Sequence, residues 1–191
     1  MRFTLHLLGL IAVALAVGFG LSLLTLGEGR SLFAYRVGPW QAWAGLGSVS
    51  PDPYARAHLA RAGTLQLGAG EGLRFTATTD SDGRRLDRSC RYRIDGMTPV
   101  ASFWTLVATS PDGINIARND APLALRSSRI ARASDGSIVA YVSRTLAPWN
   151  WLEITGTGPF VLILTLYDTS LLAGVGAGDA VMPAILIEGC A

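Results

Sequence analysis

The run Cys90-Arg91-Tyr92-Arg93-Ile94-Asp95 decides the fold. Side chains alternate along an extended chain, so Cys90, Tyr92 and Ile94 face one way and Arg91, Arg93 and Asp95 the other. This is a strand with one face on a core and one in water. Comparable short runs lie on both sides of it, at 73–78, 103–108, 138–143, 151–155, 160–167 and 181–187. Between them fall Asp80-Ser81-Asp82-Gly83, Ser110-Pro111-Asp112-Gly113 and Ser134-Asp135-Gly136, all turn sequences. In these turns Asp82, Asp112 and Asp135 are read as turn formers. Short strands separated by turns predict an antiparallel sandwich or barrel. No period of about 20–50 residues repeats, which argues against a solenoid or propeller.

Ahead of the strands, Asp52 suits a helix N-cap and Pro53 the first helical position; Tyr54 to Ala62 are mostly helix formers, and Gly63 can close the end. Further back, Thr4 to Leu26 contain no formally charged residue. A helix of about 20 apolar residues crosses a hydrocarbon core. The competing reading is a cleaved signal peptide, but its apolar region is shorter, about 7–15 residues, and ends at a small-residue site that is missing here. The expectation is an uncleaved anchor over 1–26, a connecting segment over 27–51 and a β-sandwich domain over 52–191. A short tail before a single span is the layout of a signal anchor. It places the protein in the inner membrane as a single-pass chain with its C-terminal domain in the periplasm. Tyr35, Trp40 and Trp43 either sit at the membrane interface or pack onto the domain.

Composition excludes several functions. The charged fraction is 16% and the net charge +2, which makes no case for nucleic acid. All 16 basic residues are Arg. Without Lys there is neither a Schiff base nor a Walker-type phosphate loop. The imidazoles are His6, in the apolar segment, and His58. No spacing of ligands supports a metal, and no cofactor is expected.

The ordered series Cys90-Arg91-Tyr92-Arg93-Ile94 with Gly96, Pro99, Ser102-Phe103-Trp104-Thr105-Leu106, Asp135-Gly136-Ser137, Asn150-Trp151-Leu152, Gly158-Pro159-Phe160 and Leu166-Tyr167 resembles the bacterial family called domain of unknown function 1214. The resemblance runs from about Asp52 to the C-terminus. It implies a jelly-roll-like β-sandwich and no established reaction. The expected fold is thus all-β, a jelly-roll-like antiparallel β-sandwich with a short N-terminal helix, preceded by one transmembrane helix. Many long members carry a preceding module, domain of unknown function 1254, which this sequence lacks. They also tend to have an Arg shortly before the late Tyr, where this chain has Thr165, so an activity of the long forms does not carry over.

Cys90 and Cys190 are the only cysteines. Outside the cytoplasm such a pair reads as a disulfide, and two buried free thiols are the alternative. Glu153 and Asp168, each near aromatic residues, are the first candidates for a catalytic carboxylate pair. Arg84, Arg85, Arg88, Arg91 and Arg93 form a basic cluster, either a solvated face or a contact for anionic headgroups or an acidic partner. Trp104, Trp149 and Trp151 are either core or an exposed binding platform, with Arg91 and Arg93 as further binding candidates. Adjacent aromatics such as Phe103 and Trp104 must point to opposite faces.

Two functions are carried forward. In the first, the sandwich docks a separate chain bearing the 1254 module. In the second, it is an enzyme or binding module acting on envelope glycans or lipids. A concave site that gathers Asp or Glu with a tryptophan favours the second, and a flat apolar patch the first.

Overall fold

The computed structural model describes residues 2–27, 35–43, 47, 50–51, 53–63, 67–68, 70–169, 171 and 181–190. Helix α1 (Arg2–Gly27) opens the chain and leaves apolar side chains such as Phe3, Leu10 and Phe19 exposed along its length. Its stretch Arg2–Leu23 is long and apolar enough to cross a membrane. Helix α2 (Pro53–Ala62) ends where the N–H of Gly63 donates to the carbonyl of Leu59 at 3.0 Å. The Asp52 cap and the His58 side chain lie outside the described residues.

Ten strands form two sheets. They are β1 (Tyr35–Val37), β2 (Trp40–Ala42), β3 (Gly72–Ala77), β4 (Cys90–Gly96), β5 (Ala101–Thr109), β6 (Leu125–Arg126), β7 (Ile138–Ser143), β8 (Asn150–Glu153), β9 (Val161–Thr169) and β10 (Ala184–Cys190). One sheet has the order β1-β2-β3-β9-β5-β6, the other β10-β4-β7-β8. Alternate residues of most strands point into a shared core that includes Phe75, Tyr92, Trp104, Leu106, Leu152, Phe160 and Leu164. In β4 the predicted alternation holds: Cys90, Tyr92 and Ile94 are buried and Arg91, Arg93 and Asp95 half-buried. Tyr92 meets Phe160 edge-on at 5.6 Å. At Gly72 the sheet is so close that an added Cβ would lie 2.3 Å from the carbonyl oxygen of Leu166.

The turns form where their sequences place them. In the first, the buried Asp80, not Asp82, organises the loop. Its Oδ1 accepts the N–H groups of Asp82 and Arg84 at 3.0 and 2.9 Å, and its Oδ2 accepts Arg84 Nε at 2.8 Å. Gly83 supplies the positive φ of 84° that the turn requires.

Two expectations need correction. The segment expected to be a connector contributes β1 and β2, which pair onto β3. Trp40 is in the core and its Nε1–H donates to the carbonyl of Pro183 at 2.7 Å. Its side chain therefore packs on the domain. Secondly, the sandwich is not wholly antiparallel, because β7 and β8 run parallel. A parallel pair ordinarily needs a crossover of about a dozen residues, yet residues 144–149 suffice here. The side chain of Asn150 does the work of missing backbone partners. Its Nδ2 donates to the carbonyls of Ala131 and Val139, both at 2.8 Å, and its Oδ1 accepts the N–H of Ala131 at 2.8 Å. The sharp return puts Trp149 in the left-handed region, φ 66°.

Candidate functional site

The two carboxylates expected to pair sit on different sheets with different partners. Asp168 is the penultimate residue of β9, exposed and left-handed at φ 49°. Its Oδ2 accepts Ser102 Oγ at 2.6 Å and its N–H donates to the carbonyl of Glu71. Glu153 ends β8 and its side chain is only 5% exposed.

The aromatic candidates separate as well. Trp104, 1% exposed, points into the core and cannot serve as a platform; its neighbour Phe103 takes the outer face and packs on Tyr167 at 5.8 Å. The Arg132 guanidinium lies 5.8 Å from the Trp104 ring centre. Trp149 is 81% exposed on the 144–149 loop, beside Leu146 at 77%. Trp151 is half-buried on the outer face of the four-stranded sheet.

That outer face is where the candidate side chains gather. Register across the sheet sets Leu186, Arg93, Tyr141 and Trp151 in one row, and Ser143 opposite Glu153 in the next. Trp151 Nε1–H donates to both the carbonyl and Oγ of Ser143, each at 3.2 Å, which fixes its ring. Glu153 Oε1 accepts Arg118 Nε at 2.7 Å, while its Oε2 is buried and has no hydrogen-bond partner among the described residues. Trp151, Glu153, Arg118, Arg144 and Leu146 line an open depression of about 490 Å³. A second, of about 390 Å³, shares Arg144 and adds Arg88, Arg91 and Glu188 beside Cys90 and Cys190.

Those cysteines form a disulfide, at facing positions of β4 and β10. It closes a sequence separation of 100 residues. Such a link is worth about 4–5 kcal/mol in the chain-entropy account.

Electrostatically the site is cationic. Arg88, Arg91, Arg118 and Arg144 line the two depressions against Glu153 and Glu188, and the one ion pair among these is Arg118 with Glu153. The hydrogen bond to Glu153, with the charges of Glu153 and Asp120, raises the Arg118 guanidinium above its ordinary value. Arg88 donates to the carbonyls of Thr155 and Pro159 at 3.3 and 3.4 Å, leaving its buried Nε without a partner among the described residues. Nearby, Asp87 is held below the usual aspartate range by the Ser89 hydroxyl and N–H, and burial pushes the Tyr92 phenol up. Among the described residues no three or more His, Cys, Asp or Glu side chains gather to hold a metal ion.

The basic cluster read from the sequence is dispersed. Arg84 pairs with Asp80 and Asp82, and Arg93 with Asp95 at 2.6 Å. Arg91 reaches Thr145 Oγ1 at 3.4 Å. Only Arg88 and Arg91 of the cluster join the site. Arg118 and Arg144 were not singled out from the sequence. Each stands alone in a loop, and only the return of β8 beside β7 brings them to Glu153.

A two-sheet β domain carrying one N-terminal helix apolar enough for a membrane defines the class of this protein. The chain belongs to the family described as "Protein of unknown function (DUF1214)", which matches residues 71–171, just over half of it. Its fold is similar to the crystal structure of the VPA0106 protein from Vibrio parahaemolyticus, with a TM-score of 0.58 and 23% identity, covering 71% of this chain and 35% of that one. An uncharacterised protein from Burkholderia cenocepacia matches with a TM-score of 0.41 and 17% identity, over 61% of this chain and 29% of its own. The chain thus spans about a third of the length of these solved structures. No curated protein matches it.

Proposed function

We propose that this chain is a membrane-tethered binding protein of the bacterial cell envelope. In this reading α1 is a single-pass inner-membrane anchor, and the disulfide-linked domain lies in the periplasm as a jelly-roll-like sandwich. Support for the location comes from an apolar helix joined to a disulfide, a bond that persists in oxidising compartments. Support for the fold comes from the chain's alternation between sheets, β3 to β4 to β5 and again β8 to β9 to β10.

The observation that carries a binding role is the depression that joins Trp151 to the buried Glu153. It is the concave carboxylate-and-tryptophan site that favours a module for envelope glycans or lipids over simple protein docking. One carboxylate lines it, so binding is read ahead of the two-carboxylate chemistry of glycoside hydrolysis. The test is a glycan and lipid binding screen on the full-length protein in mild detergent. Retention of an envelope glycan or lipid is expected, and silence across both screens rejects the reading. Protease added to spheroplasts checks the location: digestion of the domain supports the periplasm, and protection until the inner membrane is opened refutes it.

A second reading is favoured by the longer Vibrio protein, in which the matched domain is joined to further chain. Here the domain docks a separate protein carrying the domain of unknown function 1254. A mild-detergent pull-down from native membranes should recover that partner, and its absence counts against docking.

A further inference from the structure

Glu153 is a nearly buried carboxylate with one of its two oxygens satisfied. Its Oε1 holds Arg118, and its Oε2 has no partner among the described residues. An ionised carboxylate only accepts hydrogen bonds, and leaving one of its oxygens buried and unmade costs about 1–3 kcal/mol or more. A hydroxyl or N–H from a ligand in the depression is the donor this oxygen lacks. Arg118, 61% exposed, covers the carboxylate from the solvent side, and its side chain must shift for a ligand donor to reach Oε2.

Two neighbours specify the ligand further. The Trp151 ring is held by its two bonds to Ser143 and stands half-exposed two residues from Glu153 on the same face of β8. An aromatic face beside a hydroxyl acceptor suits a pyranose ring, which has an apolar C–H face and a hydroxyl edge. Arg144 is exposed, lines both depressions and makes no ion pair among the described residues. Its guanidinium fork is suited to bidentate binding of a carboxylate or phosphate. The Arg88 and Arg91 side chains of the adjoining depression add to the same positive field.

We infer that this site takes an acidic sugar: a pyranose stacked on Trp151, with a hydroxyl donating to Glu153 Oε2 and a carboxylate or phosphate on Arg144. The inference rests on the binding reading above and names its ligand class. The same anionic chemistry comes from two sources, a uronic acid or a sugar phosphate.

The experiment is calorimetric titration of the full-length protein in mild detergent with trigalacturonate, glucose 6-phosphate and neutral galactotriose. One charge-assisted bond predicts that an acidic probe binds roughly tenfold tighter than the neutral one. Whichever acidic probe leads identifies the source. Arg144→Gln, an exposed substitution whose fold is checked by thermal unfolding, should remove that advantage, so that acidic and neutral probes bind the variant alike. Glu153→Gln should weaken all three probes. Equal binding of acidic and neutral probes would overturn the acidic specificity and leave the glycan reading standing. If none of the three binds, the sugar-class inference fails, and the wider screen alone decides the glycan-or-lipid reading. Binding unmoved by either substitution would show that the sugar sits elsewhere and overturn the site.

Discussion

On the outer face of the six-stranded sheet, Phe103 and Tyr167 pack at 5.8 Å, and Asp168 beside them stands in open water, held by Ser102. On the outer face of the four-stranded sheet, Tyr141 and Trp151 are neighbours by register, and Glu153 lies two residues further on, buried with one oxygen unmatched. In sequence the two places look alike, an acid close to an aromatic. The difference is solvent. Water satisfies Asp168 at no cost, so nothing is left for a ligand to supply. Burial of Glu153 beneath Arg118 leaves a bond unmade, and an unmade bond is what gives a surface chemical selectivity.

The largest effect should come from the residue that links the sheets. Trp104→Ala removes a fully buried ring and should cost about 3–5 kcal/mol in chemical denaturation. Trp151→Ala, half-exposed, should cost less than half as much. Equal losses would mean that Trp151 is structural and that the contrast between inner and outer aromatics is false.

Next is the bond confined to the four-stranded sheet. Replacing Cys90 and Cys190 together with Ser should cost about 2–4 kcal/mol, less than the chain-entropy figure because the reduced, unfolded chain is itself partly compact, and adding reductant to the unsubstituted protein should lower its stability similarly. Indifference to reductant would remove the disulfide as a support of the β4–β10 edge.

The carboxylates themselves offer a smaller and sharper comparison. Asp168→Asn should change stability by under about 0.5 kcal/mol, as exposed substitutions do. Glu153→Gln should change it by about 1 kcal/mol or more, through a buried partner of Arg118. If both are silent, burial does not distinguish the two acids.

The smallest effect is the acid limb of the pH profile. Asp87 and Asp135 have folded values lowered chiefly by hydrogen bonds from Ser89 and Ser137. A lowered folded value gives stability that is present above the unfolded value, near pH 4, and is lost as pH falls through the folded one. Substituting both by Asn should lower stability at neutrality and flatten the stability curve below about pH 4, where the two proteins converge. An equal slope in the variant would assign acid unfolding to other groups.

Much of the architecture is legible in the chain because its signals are local. The alternation of Cys90 to Asp95 names the buried face of β4, and the adjacency of Phe103 and Trp104 forces one of them outward, although it does not say which. The Asp-Gly turns are visible, yet Asp80, not Asp82, runs the first, since which carboxylate bends back depends on the backbone path. Trp40 stayed open between interface and core because β1 and β2 are short strands with no alternation of their own to read.

The sequence by itself determined the apolar helix, the period-two strands, the turns between them and the family, all properties of neighbouring residues or of their order, whereas the bond between Cys90 and Cys190 was settled only by their facing positions on β4 and β10. Tertiary structure alone decided that β8 runs parallel to β7, that Glu153 is buried while Asp168 is not, and that Arg118 and Arg144 meet at one depression. Burial and long-range proximity depend on which strand lies beside which, and that choice belongs to the whole core, whose packing no single stretch of the chain encodes.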